Sequence, residues 1–189
     1  MRKLPSLSAR KKSRKLRKDE CTAEITVEVI DMAKHILTAV FSASGVTGKV
    51  GRAISETFDT DFYEIQAKEP YTSGDLNWMD KKSRSTLEMN DPSCRPAMAQ
   101  VPDVSAYDVI FVGFPVWWYR EPSIIDTFME STDFTGKTVV PFCTSGGSGI
   151  GDSAQNMQAL AKGAVVKKGR RFSALALAGE LKKWAGQWL

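Results

Sequence analysis

The sequence predicts an α/β domain built on a parallel sheet of five strands, with helices on both faces. Five short apolar segments alternate along the chain with segments of helical periodicity, and this alternation is typical of a parallel sheet with crossover helices. The central strand segments are continuous apolar runs, as expected for strands that are covered on both faces. Such sheets bind ligands beyond the carboxyl ends of their strands, so the loops at these ends are the places to look for a site.

The five predicted strands are short, are rich in β-branched or aromatic residues and end at turn residues. They span residues 36–41, 62–67, 109–114, 138–143 and 164–167.

Apolar side chains at spacings of three and four residues predict the helices. The first helix spans 47–58, and a second stretch is possible around 78–89, inside a polar segment (68–102) that four prolines interrupt. Pro122 stands where the first turn of a further helix would start. Its apolar stripe consists of Ile124, Ile125, Phe128 and Met129.

Two more helices complete the pattern. Asp152 is predicted to cap a helix over 153–161, which Gly163 closes. In a last helix, one side carries large apolar residues, which are Leu177, Leu181, Trp184 and Trp188.

Charge separates the first 31 residues from the rest of the 189-residue chain. Residues 1–18 hold nine basic residues and no acidic one, whereas 19–31 hold five acidic residues and no basic one. Residues 32–189 carry 17 of each, so the formal net charge of +4 belongs to the N-terminal part. We therefore expect a disordered extension (1–31) followed by one domain (32–189), with a short strand possible at 24–30. Met32 is an alternative translation start.

Composition excludes several classes of function. A single histidine, His35, argues against His-dependent triads and multi-histidine metal centres. The three cysteines are scattered without a C-x-x-C pair, which favours free thiols in a reducing cytoplasm. No apolar run approaches the roughly 20 residues of a membrane span, and no secretory signal is recognisable. We expect a cytoplasmic protein without a metal, a membrane contact or a nucleic-acid partner.

The loop after the first predicted strand, the Ser loop (42–49), has the composition of an anion site. It opens a helix, whose first N–H groups point outward, and Ser42, Ser44 and Thr47 add hydroxyls. A Walker loop is excluded because it needs Gly at Ala43 and a hydroxyl at Val50. The dinucleotide fingerprint G-x-G-x-x-G is also missing. A site for one phosphate monoester remains, with an ordinary capped turn as the alternative.

The loop after the third strand, the Trp loop (113–122), contains three consecutive aromatic residues, Trp117, Trp118 and Tyr119. Aromatic faces stack well, so this loop can form a wall against a planar ligand. The alternatives are that the aromatic residues fill a gap in the core or form an oligomer interface.

The loop after the fourth strand, the Gly loop (143–151), has glycine at 146, 147, 149 and 151. Glycine permits positive φ and lets the backbone approach a ligand closely, whereas the alternative is a flexible turn. A G-x-S-x-G nucleophile elbow around Ser148 fails because Ile150 occupies the last position. Together, the three loops suit a phosphorylated planar aromatic cofactor, and flavin mononucleotide (FMN) fits best.

With these motifs, residues 34–188 resemble the flavodoxin family, and more closely a short flavodoxin-like branch with a Trp-Trp loop. The resemblance is carried by residues 42–47, 75–78, 83–85, 107–122 and 140–151. It implies a flavodoxin-like, three-layer, doubly wound sheet with strand order 2-1-3-4-5 and non-covalent FMN.

The same resemblance assigns three sets of cofactor-binding residues, and it assigns no catalytic residue or metal ligand. The phosphate would be held by Ser42, Ser44, Gly45, Val46 and Thr47. The ring would be flanked by Pro115, Val116, Trp117, Trp118 and Tyr119. Its polar edge would contact Thr144, Ser145, Gly146, Gly147 and Gly149. Two positions depart from the usual pattern, because Ser44 replaces a common Thr and Val46 a common Asn.

Two functions remain open. The first is a redox protein that passes electrons through bound FMN to a protein partner, and the second is an FMN-dependent NAD(P)H:quinone-type reductase with a small electron acceptor. Electron carriers usually rely on charge to steer their protein partner, and the zero net charge of residues 32–189 weakens this argument for the carrier. A local acidic patch could still suffice, with the members Asp103, Asp108, Glu121, Asp126, Glu130 and Asp133. Segment 68–102, with Trp78, could cover the flavin and form a substrate pocket.

The N–H and hydroxyl donors expected around the phosphate are uncharged, which predicts a low reduction potential for the second electron taken up by FMN. Cys143 ends an apolar strand and is predicted to be a buried structural thiol.

Overall fold

A single parallel sheet forms the centre of the structure, a computed structural model that describes residues 34–189. Its strands are ordered β2-β1-β3-β4-β5, and β6 also pairs with β4. The strands are β1 (Ile36–Val40), β2 (Asp61–Glu64), β3 (Val109–Pro115), β4 (Thr138–Thr144), β5 (Val165–Val166) and β6 (Arg170–Phe172). The predicted fold class and strand order are confirmed, whereas the extension 1–31 and its short strand at 24–30 lie outside the described residues.

Helices cover both faces of the sheet. They are α1 (Val46–Phe58), α2 (Arg84–Asn90), α3 (Ser123–Ser131), α4 (Ser153–Leu160) and α5 (Ala178–Ala185). One face packs against α1 and α5 through a core that contains Phe111 and Phe142. The opposite face packs against α3 and α4 through a core that contains Ile110, Val112 and Cys143. Successive strand residues thus point into opposite cores, which explains the continuous apolar runs.

The edge strand differs from the prediction, because it is divided into β5 and β6 rather than being one strand. The division lies opposite Pro141 of β4, which has no N–H to donate to a neighbouring strand. Gly169 passes so close to this point that a β-carbon there would lie 2.7 Å from the Pro141 carbonyl oxygen.

Three helix predictions also need correction. Helix α2 begins at Arg84 rather than near 78, because consecutive turns occupy the preceding residues and Ser83 caps the helix by accepting from the Thr86 N–H. Asp152 precedes α4, but its side chain makes no cap hydrogen bond. Leu177 is 75% exposed at the start of α5, while Leu181 and Trp184 are buried as predicted.

No helix between residues 34 and 189 is long and apolar enough to cross a membrane.

Candidate functional site

The Ser, Trp and Gly loops lie side by side at the carboxyl ends of β1, β3 and β4. The Val116 N–H donates to the Thr144 carbonyl over 2.9 Å, which joins the Trp loop to the Gly loop. The hydroxyls of Thr47 and Thr144 lie 2.8 Å apart, which joins the Ser loop to the Gly loop. The fold therefore brings together the three groups of residues that the sequence predicted.

The Ser loop presents backbone donors at the start of α1. Gly45 is the N-cap residue with φ of 80°, and no side chain caps this end within the described part of the chain. The Gly48 N–H is satisfied by Ser42 Oγ at 2.9 Å and the Lys49 N–H by the Gly45 carbonyl at 3.2 Å. The N–H groups of Val46 and Thr47 are left for a ligand, as expected for an anion site at a helix N-terminus.

The side chains of the Ser loop differ in what they can offer. Ser44 is exposed, so its hydroxyl is free to donate. Ser42 already accepts from Gly48 but keeps its own proton for donation. Thr47 is buried against Thr144, so its side chain holds two loops together, and its backbone N–H is the group that has no partner among the described residues.

The Trp loop turns tightly through two strained aromatic residues. Trp117 and Arg120 exchange backbone hydrogen bonds of 2.9 and 3.1 Å, and φ is 45° at Trp118 and 69° at Tyr119 between them. Two positive φ values are the mark of a type I′ turn, which favours Asn and Gly. Bulky residues in this region cost about 1–3 kcal/mol each, and such strain is concentrated at functional sites. The turn leaves Trp118 38% and Tyr119 78% exposed.

Trp117 points inward from the same loop. Its ring meets Phe41 edge-on at 5.6 Å and Tyr71 at 5.5 Å, and Phe41 and Tyr71 also meet edge-on at 5.6 Å. These three rings join the end of β1, the segment 68–102 and the Trp loop. Trp117 thus anchors the loop, while Trp118 and Tyr119 are its outward aromatic residues.

A buried ionic cluster fixes the other end of the Trp loop. Arg120 Nη2 lies 2.6 Å from Glu121 Oε1 and 2.5 Å from Asp126 Oδ2, and both carboxylates are buried. Asn156 of α4 donates to Glu121 at 3.0 Å. Burial raises the pKa of the Asp126 carboxyl to about 6; Arg120 opposes the rise and Glu121 adds to it. The proposed acidic surface patch therefore loses these two members.

The Gly loop leaves open space where side chains would stand. A β-carbon added at Gly146, Gly147 or Gly149 would meet no atom within 4 Å, and φ is not positive at these positions. The protein's own packing therefore does not require glycine at these three positions. The absence of side chains leaves room for a ligand to approach the backbone closely. Gly151 is different, because φ is 59° and a β-carbon would lie 2.4 Å from the Tyr119 carbonyl oxygen.

Polar groups in and around the Gly loop form hydrogen bonds with one another. The Ser145 hydroxyl donates to the Ser148 carbonyl, and Arg171 Nη1 of β6 lies 3.4 Å from the Ser145 carbonyl. Cys143 is fully buried, and burial raises the pKa of its thiol to about 12, which confirms the predicted structural thiol.

A cleft of about 420 Å³ opens between the Trp loop, the Gly loop and the segment 68–102. This volume is within the range of small-molecule sites. Trp78, which is 73% exposed, stands on its outer side as the sequence suggested. The lining comprises Leu76, Trp78, Ser85, Val116, Trp117, Trp118, Tyr119 and Ser148.

Sequence reasoning missed several residues of this region as site members, among them Leu76, Ser85, Ser148 and Arg171. The Ser85 hydroxyl is buried and has no hydrogen-bond partner among the described residues. Its burial beside the cleft depends on how α2 packs, and no local pattern in the sequence reports it. Arg171 belongs to β6, the strand that the sequence did not predict.

The donor set fits a phosphorylated planar molecule. The Ser loop offers uncharged N–H and hydroxyl donors for a phosphate, the Trp loop offers exposed aromatic faces, and the Gly loop offers unobstructed backbone. Within residues 34–189, no group of three or more His, Cys, Asp or Glu side chains is arranged to hold a metal ion.

Comparison with known proteins agrees with this geometry. The sequence profile of the flavodoxin family matches residues 35–188. A Bacteroides uniformis protein classed as a flavoprotein is 42% identical, with a TM-score of 0.77, over 82% of this chain and 99% of its own. A similar protein from Bacteroides eggerthii is 41% identical, with a TM-score of 0.77, over 82% of this chain and 98% of its own.

A more distant structure shares the fold. The flavoprotein from Lactobacillus acidophilus, solved in complex with FMN, is 23% identical, with a TM-score of 0.59, over 81% of this chain and 99% of its own. A search of curated proteins finds no match.

Proposed function

The chain belongs to the flavodoxin family, and on that premise we propose that it binds FMN non-covalently and transfers electrons through it. The observation that carries the proposal is the convergence of the Ser, Trp and Gly loops at one edge of the sheet, where a cleft of about 420 Å³ lies between the Trp loop, the Gly loop and the segment 68–102. The Lactobacillus acidophilus flavoprotein, which has the same fold, was solved with FMN, and this adds support.

Each loop has one task in binding the cofactor. The N–H groups of Val46 and Thr47 and the hydroxyl of Ser44 hold the phosphate without a formal positive charge. Trp118 and Tyr119 stack on the ring, whose entry into the cleft excludes water from one of its faces. The Gly loop lets the polar edge of the ring approach backbone groups. FMN supplies the redox chemistry, and these residues set its affinity, potential and access.

Protein partners and small acceptors differ in what they need from the surface. Residues 32–189 have no formal net charge, but their charges are unevenly distributed along the chain. Residues 162–183 hold seven basic residues and one acidic residue, whereas residues 32–161 hold ten basic and sixteen acidic residues. Such asymmetry steers and orients a charged protein partner, which favours the electron carrier. The reductase is supported by a different feature, the exposed Trp78 and the half-buried Leu76 that line the cleft.

The first test is the visible spectrum of the purified protein, and of the apoprotein after addition of FMN. Flavin absorption bands that remain with the protein through gel filtration would support the proposal. A colourless protein that does not retain added FMN would overturn it. Steady-state oxidation of NAD(P)H with a quinone then separates the two functions, because turnover by the protein alone supports the reductase, and its absence supports the carrier.

A further inference from the structure

Ser85 carries a buried hydroxyl without a hydrogen-bond partner among the described residues, and it lines the cleft. It lies in the first turn of α2 and is 2% exposed. Its backbone N–H donates to the Asp75 carbonyl over 3.0 Å, so the residue itself is held in place. Buried hydroxyls are nearly always paired, and an orphaned one that lines a cavity calls for a partner in that cavity.

The surroundings of Ser85 hold it rigidly. Arg84 Nε pairs with Glu88 Oε1 at 2.7 Å, and its guanidinium lies 4.0 Å from the centre of the Tyr71 ring. The Tyr71 hydroxyl donates to Glu88 Oε2 over 2.7 Å, and its ring meets Trp117. This network joins α2 to the Trp loop, so the unpaired hydroxyl is fixed relative to the aromatic residues of the cleft.

We propose that the Ser85 hydroxyl donates a hydrogen bond to an acceptor atom on the ring of the cofactor bound in the cleft, which makes it a binding residue outside the three loops. The inference rests on the proposed function. The ring rather than the phosphate is the partner, because Trp117, Trp118 and Tyr119 share the cleft with Ser85, whereas no residue of the Ser loop lines it. The carbonyl oxygens and ring nitrogens of a flavin supply the acceptors that a serine hydroxyl needs.

The test compares two ligands that share the ring but differ in the phosphate. Apoprotein is titrated with FMN and with riboflavin, and the dissociation constants are read from flavin fluorescence. For Ser85→Ala we expect both constants to rise by about tenfold, the effect of one hydrogen bond lost in a buried site. Ser85→Cys fills at least the same space but donates weakly, so it should show a similar loss of affinity.

Two control variants show whether the loss of affinity comes from the ring, from the phosphate or from any change of a serine in this segment. Ser44→Ala removes a phosphate donor, so it should weaken FMN and leave riboflavin unchanged. Ser93→Ala changes an exposed serine of the same segment, whose hydroxyl bonds to Asp91 at 2.6 Å, and should leave both constants unchanged. The melting temperature of the Ser85→Ala apoprotein should equal or exceed that of the wild type, because an unsatisfied buried hydroxyl has been removed.

Four results would overturn the inference. Unchanged dissociation constants in Ser85→Ala would show that the hydroxyl makes no contact with the ligand. A loss of affinity for FMN alone would place the hydroxyl at the phosphate. A loss for Ser85→Ala but not for Ser85→Cys would indicate filled volume rather than a hydrogen bond, and a lower apoprotein melting temperature would indicate a structural role. Wild-type protein that binds neither ligand would instead refute the proposed function itself, and this inference with it.

Discussion

Gly151 connects the Gly loop to the Trp loop through a single close approach. Its φ is 59°, and a β-carbon there would lie 2.4 Å from the Tyr119 carbonyl oxygen, so Gly151→Ala must shift the strained turn at Trp118 and Tyr119. We expect the apoprotein to lose roughly 1–3 kcal/mol of unfolding free energy, measured by urea denaturation.

Gly147→Ala is the matched variant, because its β-carbon would enter open space. Its apoprotein stability should remain at the wild-type value, while FMN affinity should fall because the methyl group takes the space of the ligand. Equal stability losses in the two variants would contradict this distinction, as would wild-type FMN affinity in Gly147→Ala.

Arg171 is a cation next to the polar rim of the proposed site. Its Nη1 lies 3.4 Å from the Ser145 carbonyl, and a positive charge here would stabilise the added negative charge of reduced FMN. Arg171→Gln should therefore lower the midpoint potential for the second electron, by roughly 60 mV if the charge contributes a tenfold change in that equilibrium. Redox titration of the FMN-loaded protein measures the shift.

Arg170→Gln provides the comparison, because neighbouring residues of a strand point to opposite faces and Arg170 pairs with Glu180 at 2.5 Å. Its potential should match the wild type. A shift of the same size in both variants would mean that only general surface charge matters. The uncharged phosphate donors still predict a low potential overall, and Arg171 would moderate it.

At the scale of elements, the central strands were predictable and the edge was not. The strands β1, β3 and β4 are apolar runs bounded by turn residues, and their predicted ends agree with the structure within one residue. The division of the edge strand into β5 and β6 depends on pairing with Pro141, which only the sheet reveals. Helix α2 begins late because turns within the segment 68–102 compete with helical periodicity.

For the candidate site, too, local features were predictable from the sequence and features that depend on packing were not. The three loops were recognisable because Gly, Ser and consecutive aromatic residues carry a local conformational meaning at strand ends. The inward direction of Trp117 and the orphaned Ser85 hydroxyl both arise from packing between distant segments. Short-range patterns contain no information about which buried polar atoms find a partner.

The junction between the Trp loop and α3 should make stability depend on pH. The pKa of Asp126 is raised above its ordinary value of 3.8 to about 6, so the folded protein holds this proton more tightly than the unfolded chain. The contribution is fully present below about pH 4 and is lost as the pH rises to about 6. Arg120, Glu121 and, at 3.9 Å, Arg95 are the charged groups around it.

Asp126→Asn removes this titration. The unfolding free energy of the wild type minus that of the variant should fall between pH 4 and 6.5 and stay level above pH 7, as measured by urea denaturation at each pH. Taking the difference cancels the other carboxylates that titrate in the same range. A difference that is flat or rises with pH would show that the folded state does not favour the protonated form of Asp126.

At the scale of the whole molecule, the net charge of +4 says little about the proposed site. The uneven charge of residues 32–189 lies within the domain, whereas the excess positive charge lies in residues 1–31. The three loops, the cleft and both cores are built from residues after position 34. Binding of FMN and stability of the domain should therefore be independent of the N-terminal residues.

A chain shortened to residues 32–189 tests this independence. We expect its melting temperature and FMN dissociation constant to match the full chain at both low and high salt, because the phosphate is held by uncharged donors of the Ser loop. Retention on a cation-exchange column should fall, since the formal net charge drops from +4 to zero. Weaker FMN binding only at low salt would mean that the basic residues 1–18 help to attract the cofactor. A lower melting temperature would mean that residues 1–31 pack against the domain and belong to its fold.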